Sequence, residues 1–184
     1  YLIPYIKKNK AVLYVNVGDY KNVWDELIRD IPQMRELATE HFDNWKDTKA
    51  FATKTLSASQ INNSDVVTDN NRDDNSKNII ADNSSEDTSD NITGIHGFYH
   101  KNIFKAVYCT NLLMRSADVL VTKPSELAFY PVPKLFIKRV GGHEQWGAVH
   151  SAEIGDGTLE CRDIPHTLQM IKLFMEDDTY IIDM

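Results

Sequence analysis

Apolar residues fall along the chain in short blocks whose spacing alternates between that of strands and that of helices. Ala11–Val17 is an apolar, β-branched run that ends in Gly18-Asp19, the pattern of a buried strand entering a tight turn. Asn22 is placed to cap a helix carrying Val23, Trp24, Leu27 and Ile28 on one face. Pro32 then kinks that helix or starts a second one through Met34 and Leu37. Ile95–Phe98 reads as a short strand, and Asn102 as the cap of a helix whose apolar residues are Ile103, Phe104, Val107, Leu112, Leu113 and Met114. Ala117–Thr122 predicts a further buried strand. Lys123–Glu126 turns into a short helix with Pro124 in its first turn, and Pro133 precedes a strand over Lys134–Ile137. Gly141-Gly142 leads into a helix over about His143–Glu153, Gly155–Gly157 makes a turn, and a closing helix covers about Pro165–Met175. Strands alternating with helices at this spacing predict an α/β fold, a doubly wound parallel sheet of Rossmann-like type in one domain over residues 1–184.

One stretch breaks the pattern. From Asn62 to Asn91, 20 of 30 residues are Asn, Asp or Ser. So few apolar groups cannot offset the entropy of ordering, so a disordered, solvated insert is expected over 62–91. Its carboxylates do not follow the twelve-residue calcium-loop spacing, and no Gly stands at the turn.

Charge sharpens this picture. The chain carries a net −7, and the 62–91 insert holds −6 of it, with seven Asp and one Glu against Arg72 and Lys77. The remainder is near neutral and builds no broad basic face, so nucleic acid is not an expected partner. At 42% hydrophobic and 26% charged, the composition is that of a globular domain. No apolar run approaches the ~20 residues of a membrane span, and no signal peptide is read. Two cysteines are too few for a disulfide scaffold. A soluble, cytoplasmic protein is expected. The chain opens at Tyr1 rather than Met, as a fragment of a longer protein would.

In open parallel sheets, ligands bind beyond the carboxyl ends of the strands. Three loops end strands and open helices there: Gly18–Tyr20, Thr122–Glu126 and Gly141–Glu144. Their free amides and helix amino-termini suit a phosphate, and Lys123 adds a cation. None is a Walker loop or a dinucleotide fingerprint. Glu126 can be a helix-terminal charge or the acceptor of hydrogen bonds from ribose hydroxyls. His143 and Glu144 follow a glycine pair that permits close approach of a ligand, or stand in a plain loop. His96, His100 and His150 do not meet metal-ligand spacing, so no metal is expected. Cys109 falls mid-helix on a face expected to be buried, where an inert thiol is the default. No Gly-x-Ser-x-Gly elbow is present.

Taken together, Gly97 to about Leu173 resembles the C-terminal, donor-binding domain of glycosyltransferases with the two-domain GT-B fold. The likeness is to the branch holding the lipid II-forming N-acetylglucosaminyltransferase and the diacylglycerol galactosyl- and glucosyltransferases. Gly97-Phe98, a helix, then Ser116–Pro124 is similar to that family's passage of glycine-Phe, helix and ADVLITK. Ser125–Pro133 keeps the family's spacing of seven from the ribose-binding glutamate to the proline before the next strand. His143–Ala148 falls where the family has a polar cluster followed by Asn-Ala, and Ala11–Gly18 matches the domain's first strand and glycine turn. The resemblance implies that Glu126 binds ribose, that Lys123 and Ser125 lie near the diphosphate together with Gly18, and that Gly142, His143, Glu144 and Gln145 face the diphosphate or sugar. The chain departs from the family in three places. The glycine-rich stretch before the glutamate is shortened to Lys-Pro-Ser, Asn-Ala becomes Gly147-Ala148, and the second strand and its helix, expected over about 42–92, are displaced by the polar insert.

The implied function is binding of a nucleotide-sugar donor, expected to be a UDP-sugar, for transfer of a hexosyl unit to an acceptor hydroxyl. No cofactor is expected, and no catalytic residue is identified. An acceptor-binding domain or subunit would complete the enzyme and could carry it to a membrane surface. The alternative is a non-catalytic nucleotide- or sugar-phosphate-binding module. A flavodoxin-like regulatory domain lacks the phosphoacceptor carboxylate cluster that it would need.

Overall fold

A computed structural model describes residues 1–64 and 92–177, with the side chains of 59–64 excepted. Most of the polar insert expected over 62–91 lies outside the described residues; its first three residues end a helix. The chain is mixed α/β and divides into two compact units, Leu2–Cys109 and Thr110–Met184. Among the described residues, no helix is long and apolar enough to cross a membrane.

The N-terminal unit holds a one-turn helix α1 (Ile3–Ile6), β1 (Val12–Asn16), α2 (Lys21–Asp30), β2 (Ala38–Phe42), the long α3 (Trp45–Ser64), β3 (Gly94–Tyr99) and the start of α4 (Ile103–Leu113). The three strands are parallel in the order β1-β3-β2, with Tyr14 opposite His96 and His96 opposite Thr39. Successive strand residues turn to opposite faces. Ile95 joins Trp24 of α2, Ile6 and Met34 in one core, and Leu13, Val15, Ala38 and Phe42 pack against it. On the alternate positions, Tyr14, His41, His96 and Phe98 meet the ring of Phe51 from α3.

Several local expectations change. Asn22 does not cap α2; the helix starts at Lys21, two residues earlier than that cap implies, and Tyr20 at its cap position makes no capping hydrogen bond through its side chain. Pro32 opens a single 3₁₀ turn over Pro32–Met34 rather than a helix through Leu37. The Leu37 carbonyl instead accepts from the Ile95 amide at 2.8 Å, which starts the β2 pairing. Asn102 does cap α4, accepting from the amides of Phe104 and Lys105 at 3.0 and 3.2 Å. The buried face of α4 is Ala106, Cys109 and Leu113, whereas Ile103, Phe104 and Val107 are exposed. Burial pushes the Cys109 thiol up to about 12, so it is inert at neutral pH.

The C-terminal unit holds β4 (Leu120–Thr122), β5 (Lys134–Phe136), α5 (Gln145–Ile154) and α6 (Ile164–Glu176). β4 and β5 pair in parallel, Leu120 opposite Lys134. β4 is shorter than expected and Val121 is half exposed, so only one of the two strands is deeply buried. Leu135 packs with Cys161 and with Phe174 of α6, while Phe136 packs with Ala128 and Ala148. Lys134 is fully buried; its Nζ donates to the Val132 carbonyl at 2.8 Å and pairs with Asp156 Oδ2 at 2.8 Å.

Glycine 97 sets the spacing of the first core. A Cβ built there runs into the six-membered ring of Trp24, which is itself 1% exposed. Gly97→Val should therefore displace the indole and destabilise the chain by about 1–3 kcal/mol, the usual cost of overpacking. Urea unfolding followed by circular dichroism measures it; an unchanged midpoint would mean that Trp24 has room to move.

Candidate functional site

The sequence directs attention to the loops that follow the parallel strands, and in the C-terminal unit two of them meet. β4 ends at Thr122, and Lys123 stands immediately after it. β5 ends at Phe136, and the chain runs on through Gly141 into a 3₁₀ turn over Gly142–Glu144 that continues as α5. Lys123 Nζ donates to Glu144 Oε1 at 2.5 Å. Glu144 Oε2 accepts the amides of Val140 and Gly141 at 2.8 and 3.1 Å. One carboxylate thus ties the loop after β4 to the loop after β5.

The packing beneath these loops is specific. Pro124 is fully buried. A Cβ at Gly147 would stand 3.0 Å from the Pro124 carbonyl oxygen and 3.1 Å from the Ala128 Cβ, so glycine lets α5 lie close against the loop after β4. Ser151 Oγ, one turn further along α5, donates to the Ala128 carbonyl at 3.0 Å. Glycine at position 147 therefore has a packing reason.

The other candidates divide by exposure. Glu126, Gly142, His143 and Gln145 are exposed, Ser125 is half-buried and Glu144 is buried. Glu126 opens a 3₁₀ turn over Glu126–Phe129, not a regular helix. Gly18 belongs to the N-terminal unit. It follows β1 with φ +64°, and its amide donates to Asn16 Oδ1 at 3.0 Å. Its carbonyl accepts the His100 amide at 3.0 Å, which fixes the glycine turn to the end of β3.

Electrostatics make Glu144 the anchor of the C-terminal site. The Lys123 ammonium, then the Val140 and Gly141 amides, hold its carboxyl down to about 2. Glu144 in turn holds the Lys123 ammonium above its ordinary value. Together these groups can present a cation and the exposed turn over Gly142 and His143 to an anion.

A second cluster was not anticipated. His41 Nδ1 lies 2.6 Å from Asp47 Oδ2, and His41 Nε2 lies 3.1 Å from His96 Nδ1. His96 Nε2 lies 3.0 Å from the Thr93 carbonyl oxygen. His100 Nε2 lies 3.0 Å from the Thr48 hydroxyl. His96 thus reaches a carboxylate through His41, a residue that the sequence does not single out. The available signal was the six-residue spacing of His41 and Asp47. Among the described residues, no group of three His, Cys, Asp or Glu side chains is gathered so as to hold a metal ion.

The depressed Glu144 carboxyl gives an acid signature. A group whose folded value lies below its ordinary 4.5 contributes stability above 4.5 and loses it as pH falls toward 2. Glu144→Gln should be less stable than the parent at pH 6, with the difference closing between pH 4.5 and 2. Thermal melts across that range measure it; a pH-independent difference would mean that Glu144 acts through shape alone.

No curated protein and no solved structure matches the chain significantly. A family profile does match, over residues 1–81 and 59–184, and so the chain belongs to the family described as a domain of unknown function (DUF6938).

Proposed function

We propose that the chain is the donor-binding part of a glycosyltransferase of the GT-B type, a doubly wound, Rossmann-like domain that holds a nucleotide sugar. The observation that carries this reading is the Lys123–Glu144 pair, which joins two loops that follow the carboxyl ends of neighbouring parallel strands. Around that pair stand groups suited to a nucleoside diphosphate: the cation of Lys123, the exposed turn over Gly142 and His143, and the Ser125 hydroxyl. Glu126 supplies an exposed carboxylate three residues beyond Lys123, suited to the vicinal hydroxyls of a ribose.

In this reading Glu144 takes a positioning role rather than contact with the sugar. Both of its oxygens are occupied, and what it does is aim Lys123 and shape the backbone of Val140 and Gly141. An acceptor hydroxyl attacks the anomeric carbon, the bond to the diphosphate oxygen breaks, and Lys123 and nearby amides stabilise the charge that grows on the leaving nucleoside diphosphate. The acceptor and its general base come from another domain or subunit, which also sets any association with a membrane surface. By family likeness the base is uracil and the sugar a hexose.

Calorimetry with ribose and 2′-deoxyribose forms of uridine diphosphate tests the assignment. Charge-assisted hydrogen bonds contribute roughly 1.5–3 kcal/mol, so Glu126→Gln should weaken the ribose ligand about 10–100-fold. The deoxy ligand should bind the parent more weakly and lose less on mutation, as a double-mutant cycle would record. Equal losses would make Glu126 a surface charge. Binding that ignores the sugar would favour a non-catalytic nucleotide-binding module.

A further inference from the structure

The cluster of Asp47, His41, His96 and Thr93 obeys a proton count, and the count can be worked out from its hydrogen bonds. The Thr93 carbonyl can only accept, so His96 Nε2 carries a proton. His41 Nε2 and His96 Nδ1 face each other at 3.1 Å, and a hydrogen bond there requires a single proton between them. His41 Nδ1 and Asp47 Oδ2, at 2.6 Å, likewise need one proton between them. Relative to a carboxylate and two neutral rings, these three bonds hold one proton more. Removing it leaves two lone pairs opposed, either across the histidine contact or between His41 and Asp47, and adding another to the rings opposes two N–H groups.

The charge has a preferred seat. Asp47 lies against His41 and not against His96, so the imidazolium is His41. Burial lowers the His96 pKa, the Thr93 carbonyl opposes that shift, and His41 adds to it. Phe98 stacks on His41 with its ring centroid 4.7 Å away and the planes 9° apart, and Phe51 covers both imidazoles. Among the described residues, the titratable groups facing the pair are Asp47 from α3 and Tyr14 from β1, whose ring meets His96 edge-on at 6.1 Å.

We infer that Asp47, His41 and His96 form a binding site for one structural proton, a pH-sensitive lock that fastens the first turn of α3 to β2 and β3. The lock adjoins the second histidine contact, where Thr48 of α3 meets His100, whose amide donates to Gly18. Opening it would therefore loosen the end of β3 that holds the glycine turn. The inference stands apart from the donor-binding reading, since it needs no ligand.

The linkage has an unusual shape. The unfolded chain binds two protons on these histidines well below pH 6.5 and none well above it. The folded pair binds one throughout its working range. Below 6.5 the unfolded state holds more protons and stability falls with falling pH; above 6.5 the folded state holds more and stability falls with rising pH. An isolated buried neutral histidine gives only the acid limb.

Two measurements on the full chain test this. In long-range ¹H–¹⁵N spectra from pH 5 to 9, His41 should show two protonated nitrogens and His96 only Nε2 protonated near pH 6.5. Two rings that titrate together near 6.5, or that are both neutral there, would overturn the lock. Separately, the unfolding equilibrium constant should pass through a minimum near pH 6.5 and rise by up to tenfold per pH unit on either side. His96→Asn, whose amide can turn either oxygen or nitrogen toward His41, should flatten both limbs. A parent protein whose stability climbs steadily from pH 6.5 to 8.5 would also refute the inference, whether or not the variant folds.

Discussion

The N-terminal unit depends on how closely a tryptophan can approach its central strand. Trp24 lies against Gly97, where no Cβ stands in the way, and its Nε1 donates to Glu40 Oε1 at 2.8 Å. The indole therefore fixes α2 against β3 and β2 at once, and Phe42 meets it edge-on at 5.7 Å. Because strand side chains alternate, this also fixes the opposite face. With Gly97 and Glu40 turned to α2, His96, Phe98 and His41 must turn to α3. The histidine cluster is thus a consequence of register: a slip by one residue would send both imidazoles to the wrong side.

The C-terminal unit solves a similar problem with different groups. Gly147 brings α5 against the Pro124 loop, and Gly157 lies where a Cβ would stand 2.6 Å from the Ser151 Cβ. These two approaches hold the ends of β4 and β5 together from below, while the Lys123–Glu144 pair joins them above. The buried Lys134–Asp156 pair closes the other end of β5. Removing one partner of such a pair is far more damaging than its net contribution suggests, because the remaining charge is left buried. The loops of the candidate site are therefore anchored at both ends of a short strand.

Elements whose apolar residues are numerous were legible in the sequence. β1, β3, β5, α4 and α6 fall where the blocks of Val, Ile, Leu and Phe place them, and Asp163 caps α6 by accepting the His166 amide at 2.8 Å. β2 and α3 were not legible. Among the described side chains, the buried positions of α3 are Thr48, Phe51, Ala52 and Thr55, which keep helical spacing but are half threonine. β2 buries His41 in place of an aliphatic residue. Both elements conceal a regular period behind side chains that ordinarily mark a surface.

The sequence by itself determined an alternating α/β chain, the loops that follow its strands and the glycines on which turns rest. These follow from local periodicity and backbone freedom, which are properties of neighbouring residues. Only the tertiary structure decided which polar groups are partnered. Lys123 and Glu144 are 21 residues apart, and His41 and His96 are 55 apart. The state of each group depends on what the other element brings to it. A carboxylate becomes an anchor, and an imidazole a link between two elements, only when strand register and helix packing set a partner within hydrogen-bond reach and exclude the water that would otherwise solvate it.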